Sequence, residues 1–358
     1  MAKNFDIPTP RKRLLSLQLD PKKFEKATDA EKRQQDVMAE STTFFRDGMR
    51  RLMKNPLAVM SMVILLLVIL MMIFAPLFVP YGYEEMITVN GVRDPAAANL
   101  APFHYSALEQ AYIDQGGSVF PHIMGTDELS RDYFIRVVYG TRVSFLVGVF
   151  ASLMVLIIGV LYGAISGYAG GRVDLWMMRI VDIIYSLPDL LIIILLAVVF
   201  KESLDFSQIP LFANLGTNMV SMFIVFGLLY WVGMARLVRG QILTIKENEY
   251  VLAAKSIGAS ARRIIQKHII PNIVSVIIIT TAQEIPAAIF TESYLSFIGL
   301  GVALPMPSLG SLANAARSGM QSYPWKLVFP AFMIILIVLA FNLIGDALRD
   351  AFDPKLKK

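Results

Sequence analysis

Long apolar runs alternate with polar and basic segments along most of this 358-residue chain. A helix needs about 20 residues to cross a hydrocarbon core about 30 Å thick. Six runs are about that long, and four of them carry no charged residue. The six predicted spans are Leu57–Val79, Val143–Ala169, Ile180–Phe200, Leu215–Ala235, Pro271–Thr291 and Leu327–Gly345. The pattern therefore predicts an all-α, polytopic membrane protein with six transmembrane helices.

Composition agrees with this interpretation, and the distribution of charge indicates an orientation. Hydrophobic residues make up 56% of the chain and charged residues 17%, whereas an ordinary soluble domain has about 25% charged residues. With the N-terminus in the cytoplasm, 26 of the 33 lysines and arginines fall in cytoplasmic segments, as the positive-inside rule requires. We therefore expect both termini in the cytoplasm, and basic segments that lie near anionic membrane lipid rather than on nucleic acid.

The spans divide the chain into segments with different expected roles. Apolar residues between positions 44 and 53 recur at helical spacing opposite basic residues, which is typical of an amphipathic helix on a membrane surface. The predicted segments are a polar cytoplasmic tail (1–35), this interfacial helix (36–56), the first transmembrane helix (57–79), an extracytoplasmic loop (80–138), a five-helix core (139–351) with a cytoplasmic loop (236–270), and a cytoplasmic tail (352–358).

The cytoplasmic loop predicts two short helices joined at a glycine. Helix formers run through Ile245–Ile257, and Gly258 then suits the left-handed residue just past a helix end. Ser260 is placed to cap a second helix, Ala261–Ile270, and the proline after it stands where a membrane helix is expected to begin. Such a loop is too polar to span a membrane and is suited to docking on a protein; a surface hairpin without a partner is the alternative.

Two stretches in and beside this loop resemble a known signature. Residues 250–258 read Tyr-Val-Leu-Ala-Ala-Lys-Ser-Ile-Gly, and residues 268–272 read His-Ile-Ile-Pro-Asn. Both resemble the cytoplasmic signature loop of binding-protein-dependent ABC importer permeases. The signature's two alanines, its glycine and its distal proline map to Ala253, Ala254, Gly258 and Pro271. Its acidic position is Leu252 here, and Glu249 lies three residues earlier.

Three further segments resemble one branch of that family, the oligopeptide/dipeptide permeases, and within it the C-type subunit. They are residues 125–144, 292–301 and 341–354. The branch usually has glycine where Ser130 stands. The resemblance covers about residues 42–354 and leaves out the polar tail.

The resemblance implies a type I ABC importer permease fold and several partners in a bacterial cytoplasmic (inner) membrane. These are a homologous second permease in a heterodimer, two ABC ATPase subunits that bind ATP and magnesium, and an extracytoplasmic binding protein that delivers oligopeptides or dipeptides. No Gly-Lys pair occurs in the chain, which excludes a phosphate loop of the Gly-x-x-x-x-Gly-Lys type. We therefore expect a transport subunit that is not an enzyme and that binds no cofactor or metal itself.

The loop residues are expected to couple this subunit to an ATPase. ATP-driven closure would move the loop as a rigid body together with the spans attached to it. Small residues in the loop would permit close approach of the ATPase. Arginines would hold the orientation of the loop at the rim of the groove on the ATPase. The predicted coupling residues are Glu249, Tyr250, Ala253, Ala254, Gly258, Ala259, Arg262, Arg263, His268 and Pro271.

Carboxylates inside the predicted spans are candidates for the translocation path, because ionisable groups at membrane depth are usually functional. Asp189 follows Pro188, where the helix is expected to kink, and Glu284 lies near the middle of the fifth span. A buried ion pair with arginine, or a polar contact to a partner subunit, is the alternative for both. Glu292 stands at the outer end, where a gate and a substrate contact are equally compatible with its position.

Two other functions are weighed against the importer. An ion-gradient-driven secondary transporter would use Asp189 and Glu284 as its proton or sodium site. An integral membrane enzyme lacks support, because no nucleophile or metal constellation is recognisable and the chain has no cysteine.

Local pairing is expected for the remaining charged residues that stand out. Asp182 is expected to pair with Arg179. An acidic group in the first outer loop fails the spacing of a calcium loop, so helix capping and pairing with neighbouring arginines is expected instead. Its members are Asp127, Glu128 and Asp132, with Arg131 and Arg136 beside them.

Overall fold

The computed structural model describes residues 44–203, 217–302 and 306–352. The chain divides into two units, residues 1–47 and 48–358. The predicted polar tail and the start of the interfacial helix lie outside the described residues. Within the described part, helix α1 covers Phe44–Lys54 and exposes Phe45, Met49 and Met53. The helix is thus present over this stretch, and its place on a membrane surface stays a prediction.

Five helical stretches among the described residues are long and apolar enough to cross a membrane. They are Pro56–Phe78, Tyr133–Ala169, Met219–Ile245, Ala261–Phe297 and Trp325–Phe352. A sixth span is present if the helices Gly171–Tyr185 and Asp189–Phe200, which meet at an angle of 85°, are taken as one. This confirms the prediction of an all-α, polytopic membrane protein.

The described elements are named in chain order. After α1 come α2 (Pro56–Phe78), strands β1 (Thr88–Val89) and β2 (Val92–Arg93), α3 (Ala107–Asp114), α4 (Tyr133–Met154), α5 (Val160–Ala169), α6 (Gly171–Tyr185), α7 (Asp189–Ser203), α8 (Thr217–Leu229), α9 (Trp231–Ile245), α10 (Glu249–Ser256), α11 (Ala261–Ile264), α12 (Ile270–Phe297), α13 (Leu309–Ala316) and α14 (Trp325–Phe352). Short π-helical turns, Val155–Gly159 and Ile265–Ile269, make α4–α5 and α11–α12 continuous. The segment between α2 and α4 contains an antiparallel strand pair and α3.

Several predicted spans differ from the observed helices; the fourth, for example, ends at Ile245 rather than at Ala235. The second begins at Tyr133, ten residues before the predicted Val143, because the Asp132 carboxylate caps the helix by accepting from the Ile135 amide at 3.0 Å. The third is broken at residues 186–188, because Pro188 has no amide hydrogen and disfavours helical geometry in the residue before it. The expected kink is thus a bend of 85°.

The loop before the fifth span also differs from its predicted bounds. Helix α10 begins at Glu249 rather than Ile245, because Asn248 is extended and separates it from α9. Pro271 does not begin a separate membrane helix, since α11, the π-helical turn and α12 run on as one span. The π-helical turn just before Pro271 changes the hydrogen-bond register where the proline amide donates nothing, so the helix continues.

Several contacts show which segments share one end of the bundle. Lys246 Nζ donates to the carbonyl of Gly167 at 3.2 Å, so the chain after α9 lies beside the end of α5. At the opposite end, Tyr133 Oη donates to the carbonyl of Lys326 at 2.6 Å, which joins the starts of α4 and α14. We call these the loop end and the far end. The first outer loop, residues 79–132, lies at the far end.

Candidate functional site

The two-helix loop, residues 246–264, is fixed to the helix bundle through one apolar face. Val251 and Ala254 of α10 and Ile264 of α11 are buried. They share an apolar cluster with Val238 and Ile242 of α9. Because α9 leads directly into the loop and also forms its packing surface, the loop is attached to α9 both through the chain and through apolar contacts.

Gly258 joins the two short helices of this loop. Its φ is 83°, in the left-handed region that favours glycine. A Cβ at this position would meet nothing within 4 Å in this chain. Ser260 Oγ then accepts from the amide of Arg263 at 3.4 Å and caps the second helix. Both the left-handed glycine and the serine cap are confirmed.

The opposite face of the loop exposes large apolar side chains. Tyr250 is 44% exposed, Leu252 is 49% exposed, and Ile257, immediately before the glycine, is 86% exposed. These three side chains lie on a segment that also carries several charged residues. Exposed large apolar groups can mark a site of interaction with a protein or a membrane.

The predicted coupling residues divide between these two faces. Those that are exposed are Glu249, Tyr250, Ala253, Gly258, Arg262, Arg263 and Pro271, and those that are half-buried are Ala259 and His268. The expectation that both alanines permit close approach of a partner is wrong for Ala254, which is 7% exposed and packs on the bundle. Helical spacing places neighbouring residues of a short helix on different faces, so only Ala253 is left on the outer side.

Three glycines allow α9 to pack closely against the second span, and sequence reasoning missed them. Gly159, Gly163 and Gly167 are spaced four residues apart, which places them on one helix face. A Cβ at Gly159 would lie 2.6 Å from Cβ of Met234, and one at Gly163 would lie 2.5 Å from the carbonyl oxygen of Ala235. Small residues at this spacing let membrane helices approach closely. The four-residue spacing of the glycines is the signal from which sequence reasoning could have found them.

Two ion pairs join α6 to α9 near the loop end. Arg239 donates from Nε and Nη2 to the two carboxylate oxygens of Asp174, at 2.6 Å each. One turn earlier on α9, Arg236 Nη2 lies 2.6 Å from Oδ1 of Asp182. The expected pair of Asp182 with Arg179 is therefore wrong. Arg236 and Arg239 share one face of α9, and α6 packs against that face. Asp182 therefore pairs with an arginine of α9 rather than with the arginine of its own helix.

Asp189 and Glu284 lie at one cavity, as the candidate path requires. The cavity has a volume of about 270 Å³, and Tyr185 and Tyr230 line it as well. Asp189 is the first residue of α7, and Glu284 of α12 lines the same cavity. No arginine occurs among the described residues that line the cavity, so the alternative of an arginine partner has no support there.

Glu292 is not among the residues that line this cavity, and it lies in a serine cluster between helices. Its carboxylate accepts hydrogen bonds from Ser144 Oγ at 2.6 Å and Ser296 Oγ at 2.7 Å. Ser144 Oγ also accepts from the amide of Leu309 at 3.3 Å. The carboxylate is fully buried, so it holds α4, α12 and the start of α13 together.

A buried histidine organises the first outer loop at the far end. His122 is 0% exposed, and its two ring nitrogens lie 2.9 Å from Glu109 and from Asp132. Burial alone lowers the pKa of His122, but the hydrogen bonds to the two carboxylates outweigh it and raise the pKa to about 9. A protonated imidazole therefore joins α3 to the start of α4. Sequence reasoning missed this contact, whose members lie 10 and 13 positions from His122.

The acidic group beside it behaves as predicted. Asp127 pairs with Arg131 at 2.6 Å and with Arg136 at 3.3 Å. Asp132 caps α4 and also contacts His122, whereas Glu128 is exposed. Local capping and ion pairing are confirmed for Asp132 and Asp127. No group of three or more metal-ligating side chains occurs in the part of the chain that the structure describes.

The fold and these contacts define a class of protein: a multi-pass helical membrane protein with an exposed apolar loop at one end and a polar cavity between its helices. Comparison with protein families identifies the class more closely. Residues 159–358 match the binding-protein-dependent transport system inner membrane component, and residues 43–102 match the N-terminal TM domain of oligopeptide transport permease C. The chain belongs to the family of binding-protein-dependent transport permeases.

Curated relatives cover nearly the whole chain. It is 40% identical over 332 residues to the oligopeptide transport system permease protein OppC of Bacillus subtilis, covering 93% of this chain and 95% of the relative. It is 41% identical over 323 residues to the dipeptide transport system permease protein DppC of the same organism, covering 90% and 89%. A glutathione transport system permease protein, GsiD of Pectobacterium atrosepticum, is 34% identical over 315 residues, covering 88% and 92%. The resemblance to the C-type permeases is thereby confirmed.

Proposed function

We propose that this chain is the transmembrane permease subunit of an ATP-driven ABC importer and forms half of the translocation path for oligopeptides or dipeptides. The names of the OppC and DppC relatives support the peptide cargo. The observation that carries the proposal is the exposed apolar face of the two-helix loop around Ile257. The relatives also favour this function over an ion-gradient-driven transporter, which would need no such loop.

The remaining subunits complete the proposed importer. Two ABC ATPase subunits bind ATP and magnesium and hydrolyse the ATP. A homologous second permease completes the path, and an extracytoplasmic binding protein delivers the peptide. The proposed location is the bacterial cytoplasmic membrane, with both termini and the two-helix loop in the cytoplasm. The positive-inside distribution of lysine and arginine supports this orientation.

In the proposed coupling step, Tyr250, Leu252 and Ile257 enter a groove on the ATPase, and Arg262 and Arg263 orient the loop at its rim. The open space over Gly258 permits the groove wall to come close. Because the loop packs on α9, its movement is carried directly into the bundle.

The cavity at Asp189 and Glu284 is the proposed part of the translocation path. Its two carboxylates favour the ammonium group of a peptide, and its size suits a few peptide atoms at a time. Glu292 is proposed as a structural element of the far end rather than as a substrate contact, because three helices surround it and serine hydroxyls bond to it.

The experiment reconstitutes the chain with its second permease and two ATPases in vesicles and measures peptide uptake with and without ATP. We expect uptake only with all subunits and ATP present. Gly258→Glu should abolish uptake while the chain remains in the membrane, because the added side chain fills the space over the loop. Gly91→Glu is the matched control, since Gly91 also has a positive φ of 77° and open space around it but lies at the far end. Uptake by the chain alone, or equal loss in both variants, would contradict the proposal.

A further inference from the structure

The ion pairs between α6 and α9 join two parts of the molecule that the proposed transport cycle must move together. Helix α9 ends at the two-helix loop, and α6 ends at the bend that leads to Asp189. On α9, the arginines of these pairs adjoin Val238 and Ile242, which belong to the apolar cluster that packs against the two-helix loop. Through α6, they lead to the cavity that Tyr185 and Asp189 line.

The geometry of the pairs is suited to the transmission of movement. The Asp174–Arg239 pair is bidentate, with both distances at 2.6 Å, and a planar fork of this kind fixes orientation as well as distance. Ser166 Oγ donates to the same Asp174 carboxylate at 2.5 Å, so the end of α5 is included. This carboxylate therefore connects three helices.

The second pair reaches the cavity directly. Arg236 lies 2.6 Å from Asp182, and its guanidinium also stands over the ring of Tyr185 at 4.0 Å from the ring centroid. Tyr185 is the last residue of α6 and lines the cavity with Asp189. A displacement of α9 along or around its axis therefore pulls on the residue at the bend.

The row of glycines at positions 159, 163 and 167, which we call the glycine stripe, makes α9 suitable for transmitting this movement. Gly163 and Gly167 hold α9 and α5 in close contact, so the two helices form one block. By contrast, α6 and α7 meet at a break of three residues with an angle of 85° between the helices, which makes the bend a place where the angle can change. The ion pairs connect the block to the hinged helix pair.

We propose that these two ion pairs form a joint that transmits movement of the two-helix loop to the bent helix pair beside the cavity, with Asp174 and Arg239 as its central positioning residues. The inference rests on the proposed function, because it assigns a path for the coupling that an ATP-driven importer needs. If the pairs only neutralised charge within the bundle, uptake and ATP hydrolysis would decline together.

The test uses the complete complex in vesicles and measures the ATP hydrolysed per peptide imported. Arg239→Glu should keep ATP hydrolysis and raise this ratio about tenfold, within the range that coupling free energies usually span. The charge swap, Asp174→Arg with Arg239→Asp, should recover a large part of the coupling. Arg349→Gln is the matched control, because Arg349 also lies near the loop end but bonds to Gln283 of α12 at 3.0 Å instead; it should leave the ratio unchanged.

A second variant keeps the test decisive if the complex with Arg239→Glu does not assemble. Arg239→Lys retains the charge and loses the bidentate fork, so it should raise the ratio less than Arg239→Glu would. An unchanged ratio in an assembled variant would overturn the joint, as would a proportional loss of hydrolysis and uptake that the charge swap does not repair. Absence of ATP-dependent uptake by the parental complex would instead overturn the proposed function itself.

A structural measurement examines the joint without transport. The chain contains no cysteine, so spin labels are introduced at Ser256 in the loop and at Leu191 on α7 without background. ATP should shift the distance between the labels in the parental complex, and Arg239→Glu should remove that shift. A shift that survives Arg239→Glu would also overturn the joint.

Discussion

The close contact of α9 with α5 is tested by adding one methyl group to the glycine stripe. In a Gly163→Ala variant, the new Cβ would start 2.5 Å from the carbonyl oxygen of Ala235 and 2.9 Å from Cβ of Val238. The first of these atoms is backbone, so it cannot turn away as a side chain does. The helices must therefore separate by several tenths of an ångström, and the contacts along the stripe weaken together.

The expected cost is that of overpacking, about 1–3 kcal/mol. The matched control is Gly240→Ala on α9, because Gly240 is exposed and an added Cβ meets nothing within 4 Å. That substitution should stabilise the helix by about 0.5–1 kcal/mol, since alanine loses less backbone entropy than glycine. The same chemical change is thus expected to act in opposite directions at the two positions.

The assay is thermal unfolding of the purified chain in detergent, followed as the loss of the monodisperse peak in size-exclusion chromatography. Gly163→Ala should lower the melting temperature by about 1–4 °C and Gly240→Ala should keep or raise it. ATP-coupled uptake should fall with Gly163→Ala in the assembled complex as well. A Gly163→Ala protein as stable as the parent would refute the argument that the close approach requires glycine.

Three further predictions follow from single contacts. The pKa of His122 is raised to about 9 in the folded chain against an ordinary value near 6.5, so its contribution to stability is complete below about pH 6.5 and is lost as the pH rises through 9. The melting temperature of the parent should fall over this range more steeply than that of His122→Gln, and parallel curves would contradict the assignment. Glu292→Ala should destabilise the chain by about 2–4 kcal/mol, because it leaves a cavity and buried serine hydroxyls without their acceptor, whereas Glu292→Gln should cost less; chemical denaturation in mixed micelles measures both. Ile257→Ser should weaken binding of the ATPase subunits in pull-down experiments without changing the melting temperature of the isolated chain, and unchanged binding would argue against the docking face.

Local chemistry explains why much of the architecture could be predicted. The thickness of a hydrocarbon core sets the length of each apolar run, so the spans are visible without any neighbour. The left-handed glycine at 258 and the serine cap at 260 depend on the backbone of a few adjacent residues, and both were predicted correctly. Both features are therefore determined by residues that are neighbours in the sequence.

Several boundaries could not be derived in this way. The second span begins ten residues early because the Asp132 cap starts a helix before the apolar run does. Pro188 indicates a break in the third span, but the angle of 85° depends on what packs against each half. Pro271 resembles a helix start, yet the π-helical turn before it lets the helix continue. In the first and third cases, hydrogen bonding outweighed the hydrophobic pattern.

The sequence by itself determined that this protein crosses a membrane repeatedly and presents a two-helix loop joined at Gly258, because those features follow from apolar length and local backbone geometry. Only the tertiary structure decided which charges meet. Asp189 and Glu284 lie at one cavity although 95 positions separate them, and Asp182 pairs with Arg236 rather than with the nearby Arg179. The physical reason is that an ion pair or a cavity depends on distance in space, which helix packing sets and sequence spacing does not.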